Sequence, residues 1–147
     1  MTRASARGSA LAIDHGEKRT GFAVADPLRI ATEPLEVWHG RGDDAALLEH
    51  VAALLEERDV ATIVVGYPVH MDGRAGARAR AVDAFIARVQ ARFPELAVVR
   101  QDERLTTKEA EELLRREGLR PERRRALRDA VSALVILRDW IEAGEPA

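Results

Sequence analysis

No cysteine occurs in the 147 residues of this chain, which excludes disulfides and thiol chemistry and fits a reducing compartment. No apolar run approaches the ~20 residues that cross a bilayer as a helix, so no membrane partner is expected. The opening MTRASARGSA lacks the apolar core of a signal peptide and reads as a flexible tail over residues 1–9. These absences make a cytoplasmic protein the expectation. A P-loop and a serine-nucleophile motif are missing as well. The four histidines, His15, His39, His50 and His70, have no zinc-ligand spacing among themselves. Strong charge of one sign is also lacking, because the net charge is −2, and that balance alone argues neither for nor against nucleic acid.

What is present is an ordinary globular composition, 46% hydrophobic, in a length that suits one domain spanning 1–147. Residues 10–14 and 20–26 read as two strands joined by a short turn, and PLEVWH at 34–39 reads as a third. In the second strand Phe22 and Val24 face one way while Gly21, Ala23 and Ala25 face the other, so something packs closely on the small face. The spacing of Leu47, Leu48, Val51, Leu54 and Leu55 predicts a helix over 43–58. ATIVVG at 61–66 is a buried strand, a helix follows over 75–93, and LAVVRQDE at 96–103 is the fifth strand. Helices over 106–118 and 121–143 complete the chain. This order describes an α/β fold, a mixed five-stranded sheet with helices on both faces.

Three acids stand where acids are costly. Asp14 ends the first strand, Glu103 ends the last, and Asp129 shares a helix face with Ala133, Ile136 and Trp140. Pairing with nearby arginines accounts for any one of them. A cluster of hard oxygen ligands for Mg²⁺ or Mn²⁺ accounts for all three together. Carboxylate-held divalent ions point to phosphoryl chemistry, in which one ion activates water and another steadies the leaving oxygen. Cations to hold a phosphate backbone are at hand in Lys18 and Arg19, in a cluster at Arg74, Arg78 and Arg80, and in Arg123, Arg124 and Arg125 within RREGLRPERRRALR. His15 reads as a turn histidine without a role.

LAIDHGEKRTGFAVAD, IVVGYPVHMDGRAG, DERLTTKEAEELL and RDAVSALVILRDWI occur in the order seen in the YqgF/RuvX family, and the resemblance runs from about Leu11 to Glu142. It implies a ribonuclease-H-like fold with a carboxylate active site, in which the family's acids match Asp14, Glu103 and Asp129. Asp102, beside the motif's glutamate, ranks second because strand alternation turns it away. Arg104, Thr106 and Thr107 resemble the family's next segment, where a helix N-terminus binds phosphate. Tyr67 stands where leucine is common in the family and offers a stacking surface for a base. The implied activity is maturation of precursor small-subunit ribosomal RNA, with the ribosomal subunit as a further partner.

Other readings stay open at this level. Branched DNA resolution would use the same acids on a twofold dimer, and the sequence leaves monomer and homodimer undecided. The first block also resembles the phosphate loop of actin-like ATPases and sugar kinases, which bind nucleotide between two such domains. A non-catalytic RNA-binding assembly factor is the third class. Replacing Arg123, Arg124 and Arg125 together with alanine should weaken RNA binding and flatten its salt dependence in proportion to the phosphates no longer neutralised. A salt slope equal to that of the unmodified protein would make the cluster an ordinary solvated surface.

Overall fold

Three apolar runs, SALAID, VATIVVGY and AVVRQD, lie side by side as parallel strands, and everything else is arranged around them. The computed structural model describes residues 8–68, 73–103, 112, 115 and 121–147, with side chains for all of these except 73–75 and 121–130. The strands are β1 (Ser9–Asp14), β2 (Arg19–Ala25), β3 (Thr32–Pro34), β4 (Trp38–His39), β5 (Val60–Tyr67) and β6 (Ala97–Asp102). The helices are α1 (Ala45–Arg58), α2 (Gly73–Arg92) and α3 (Pro121–Glu142). The sheet order is β3-β2-β1-β5-β6, with β4 also on β2. β1 is antiparallel to β2 and parallel to β5, and β6 is parallel to β5.

The sheet has six strands where the sequence reading expected five, because the third divides in two. Residues 34–39 divide between β3, which starts at Thr32, and the short β4. Pro34 has no N–H to extend the ladder, and the backbone is caught again only at Leu35, whose N–H donates to the Phe22 carbonyl at 2.8 Å. β1 opens at Ser9, whose N–H donates to the Asp59 carbonyl at 3.1 Å, so residue 9 belongs to the sheet and not to the tail. Residues 1–7 and the helix expected over 106–118 fall outside the described residues, apart from isolated helical positions at 112 and 115. α1 begins at 45 rather than 43 because Asp44 is its N-cap, accepting from the Ala46 N–H at 2.9 Å.

The two sheet faces are built from different side chains. Leu11, Ile13, Phe22, Ile63 and Val65 meet α1 through Leu47 and Val51, and α2 through Val82, Phe85 and Ile86. On the other face Ala10, Ala12, Ala23, Ala25 and Val64 meet Ala133, Leu134, Ile136, Leu137 and Trp140 of α3. The small face of β2 therefore receives a helix at close range. Each fully buried Ile or Leu there contributes roughly 1.5–3 kcal/mol.

Two contacts orient α3. Near its end, Arg29 lies 5.8 Å from the Trp140 ring centroid, pairs with Glu145 at 2.9 Å, and donates to the Gly8 carbonyl just before β1. Higher up, Ile136 packs on Gly66 near the end of β5, where an added Cβ would stand 2.5 Å from its Cδ1. The helix thus runs from the carboxyl end of the parallel strands toward their amino end. Gly66→Ala should lower stability by about 1–3 kcal/mol through overpacking, measured by urea unfolding. Adding Ile136→Val, which removes Cδ1, should make the double variant less destabilised than the sum of the two single changes. Simple additivity would show that the two sites do not collide.

Candidate functional site

Alternation along the strands decides which side chains share a face. Ala10 and Ala12 pack toward α3 while Leu11 and Ile13 pack toward α1 and α2, so Asp14 continues the α3 series. On β5 the same series runs from Val64 to Gly66. On β6 it runs from Val99 through Gln101 to Glu103, whose N–H prolongs the ladder by donating to the Tyr67 carbonyl at 2.9 Å. The register pairs Ile13 with Val65 and Asp14 with Gly21, so Asp14 stands between Gly21 and Gly66. Glu103 Oε2 lies 3.2 Å from the place a Gly66 Cβ would take. Two half-buried carboxyl residues thus share the α3 face at the carboxyl end of the sheet, over a floor with no side chains. Ligand sites in open α/β sheets lie at this end.

Asp102 falls on the opposite series with Val98 and Arg100 and is exposed, as alternation required. Asp129 lies on α3, seven residues before Ile136 and therefore about 10 Å further along the axis toward the carboxyl end. Its side chain is outside the described residues. Among the described residues no three His, Cys, Asp or Glu gather into a group able to hold a metal. The two described acids nonetheless suit a hard divalent cation, because both offer carboxylate oxygens, and the missing side chain at Gly66 lets the Glu103 carboxyl lie close over β5.

The opposite side of the same turn holds what the sequence reading missed. His15 is buried, with 7% of its surface exposed, and its ring stacks on Phe85 with centroids 4.5 Å apart. Nε2 lies 2.9 Å from the Gly42 carbonyl, which can only accept, so Nε2 carries the proton. Nδ1 is then the acceptor facing Arg78 Nη2 at 3.4 Å, and the same Nη2 donates to the His15 carbonyl at 2.6 Å. Burial holds the His15 pKa below its ordinary value, and the Arg78 and Arg88 charges push the same way against the raising Gly42 bond. His15 is thus a structural hub, not an idle turn residue. The signal was available in the alternation, since Ile13 and His15 share parity.

Lys18 and Arg19 are exposed on the turn and the first position of β2, where Arg19 pairs in register with His39. Arg74 lies in the first turn of α2 and Arg123, Arg124 and Arg125 in the first turns of α3, with side chains outside the described residues. Arg104, Thr106 and Thr107 are outside the described residues altogether. Tyr67 does not present a free stacking face. Its hydroxyl donates to Asp83 Oδ2 at 2.9 Å, and the Arg100 guanidinium sits 5.4 Å from its ring centroid. That bond to Asp83 raises the Tyr67 pKa.

With this geometry in view, the similarities of the chain to known proteins are consistent with one another. A family model described as "RuvX: Holliday junction resolvase" matches residues 8–143. A protein of Acetivibrio thermocellus named "Putative pre-16S rRNA nuclease" is 35% identical over 133 residues, covering 90% of this chain and 94% of that one. A protein of the same name from Anaeromyxobacter sp. is 42% identical over 132 residues, covering 90% and 95%. Among solved structures, "T. thermophilus RuvC in complex with Holliday junction substrate" aligns with TM-score 0.57 at 17% identity, covering 94% of this chain and 97% of that one. The Fowlpox virus resolvase bound to Holliday junction DNA also aligns at 0.57, with 11% identity and coverage of 94% and 99%. These two likenesses show the fold, the ribonuclease-H-like α/β arrangement of resolvases. The match along residues 8–143 and the identity to these relatives show that the chain belongs to the RuvX family.

Proposed function

We propose that this chain is a divalent-metal-dependent endonuclease that hydrolyses phosphodiester bonds of structured RNA, with precursor small-subunit ribosomal RNA as its substrate. The observation that carries the reading is the pair Asp14 and Glu103, set on one sheet face over Gly66 at the ends of parallel strands. The names of the relatives support a nuclease, and the pre-16S rRNA in those names supports RNA. Asp14, Glu103 and Asp129 are the residues that would hold Mg²⁺ or Mn²⁺, which when bound supplies an acidified water and charge stabilisation at the leaving oxygen.

The chain's own part is to hold and orient. Rigid strand ends fix the two carboxylates, and α3 brings the position of Asp129 toward the same end. Lys18, Arg19, Arg74, Arg104, Thr106, Thr107, Arg123, Arg124 and Arg125 are assigned to the phosphate backbone, where fixed cations oppose the charge that builds up on the scissile phosphate. The ribosomal subunit is the partner that would present the RNA. Branched DNA is the second reading, favoured by the family's description as a Holliday junction resolvase, and it requires a homodimer with paired sites.

Structured RNA and four-way-junction DNA incubated with the protein and Mn²⁺, Mg²⁺ or EDTA test both readings. RNA should be cut only with metal, and Asp14→Asn should reduce the rate about 100-fold or more while still folding and binding RNA. Preferential cutting of the junction would favour the DNA reading. An Asp14→Asn protein that cuts at the unmodified rate would show that the site is elsewhere.

A further inference from the structure

Behind the β1–β2 turn, on the sheet face away from Asp14, a cleft of about 430 Å³ opens between the turn, the Arg41–Asp43 loop and α2. Four cations line it, Lys18, Arg41, Arg78 and Arg88, against two acids, Glu17 and Asp43. Asp43 is already gripped by both arms of Arg41, at 2.9 and 2.8 Å, so the cleft keeps an excess of positive charge. His15 adds none, because Nε2 holds the ring proton against the Gly42 carbonyl while Nδ1 faces the Arg78 donor as an acceptor.

The layout suits a polyanion. Arg78, Ala81, Ala84 and Arg88 fall along one face of α2, giving a trough with small residues in the middle and an arginine at each end. Ten residues of helix separate the two arginines by ~15 Å along the axis, about four nucleotide rises of a helical strand. The Arg78 guanidinium is pinned by the His15 carbonyl at 2.6 Å. A pinned fork loses little freedom on binding. One phosphate meets one of these ends, whereas a chain of phosphates meets both. The cleft also begins at residue 15, immediately next to Asp14, with Lys18 on the turn that separates the two faces.

We propose that this cleft binds the phosphodiester backbone of the nucleic acid away from the scissile linkage, with Arg78 and Arg88 as the phosphate contacts. A strand lying on the acid face continues over the β1–β2 turn and into the trough. The proposal rests on the nuclease reading for the identity of the polymer, but its chemistry needs only repeated phosphates.

The test is equilibrium binding of a fluorescein-labelled RNA hairpin with single-stranded flanks, in EDTA, across a salt series, so that no cutting is needed. Arg88→Ala changes a half-buried side chain at the helix surface and should weaken binding by about three- to tenfold, with the salt slope smaller by about 0.7–0.9. Arg88→Lys, which keeps the charge, should retain most of the slope. Adenosine monophosphate is titrated in parallel and should fail to displace the RNA at matched phosphate concentration. Unchanged affinity and slope in Arg88→Ala would overturn the proposal. So would saturable nucleotide binding lost in Arg88→Ala while RNA binding stays intact, which would reassign the cleft to a small phosphate ligand. Normal RNA binding by Arg88→Ala with loss of cutting in Asp14→Asn would remove the cleft and leave the nuclease standing. Weakened RNA binding in a protein that never cuts would do the reverse.

Discussion

Close approach of one helix to a sheet face made of alanine and glycine is the constraint on which the candidate site depends. Ala10, Ala12, Ala23 and Ala25 carry side chains short enough for α3 to lie directly on β1 and β2. Leu134, Ile136, Leu137 and Trp140 fill the space from the helix side. Interiors are packed at crystal-like density, so a lengthened side chain anywhere in that layer moves the helix rather than compressing it. At the upper end the layer runs out of side chains altogether, at Gly21 and Gly66, and there the acids Asp14 and Glu103 take over the face. The helix that seals the alanine face is also the helix that carries Asp129. Packing and the expected ligand set are parts of one arrangement.

The β1–β2 turn divides two environments within a single peptide step. Asp14 faces the α3 side over glycine, whereas His15 faces the α2 side against Phe85. The ring is locked from three directions, by the Gly42 carbonyl, by the stacked phenyl and by Arg78. Gly42 must lack a side chain for this to work, since a Cβ there would stand 2.6 Å from His15 Nε2. Because the turn is tied to α2 through Arg78 and to the loop before α1 through Gly42, Asp14 sits at the edge of a braced segment. Fixed geometry of this kind is what positions a carboxylate for metal or phosphate chemistry.

A second brace works at the other strand ends. Tyr67, Asp83 and Arg100 join β5, α2 and β6, with the Tyr67 hydroxyl and the Arg100 guanidinium on the two oxygens of Asp83. The Tyr67 carbonyl meanwhile holds the Glu103 N–H. The Asp83–Arg100 pair is about half exposed, so its value lies in orientation more than in stability. The polar end of the sheet is thus tied at both β1 and β6, while the apolar body below supplies the energy.

Much of this was legible in the residues, because two-residue alternation and helical spacing are local properties. Parity alone separated Phe22 from Ala23 and Glu103 from Asp102, and the placement of Asp14 and Glu103 at strand ends followed from where the apolar runs stop. The division of 34–39 into two short strands was not legible, since it depends on which β2 residues the chain meets after Pro34. The same holds for Tyr67, whose ring reads as free until Asp83 and Arg100 arrive from other elements. The roles of His15, Gly42 and Arg78 arise from contacts between segments 27 and 63 residues apart, as the bonds of His15 to Gly42 and to Arg78 show. The sequence by itself determined β1, β2, β5 and β6, the helices α1 to α3, their apolar faces and the place of Asp14 and Glu103 at strand ends, because those rest on neighbours in the chain. Only the tertiary structure decided that Gly66 forms the floor between two carboxylates and that α2 and the first turn enclose a cationic cleft, because both arise when distant backbones approach within a side chain's length.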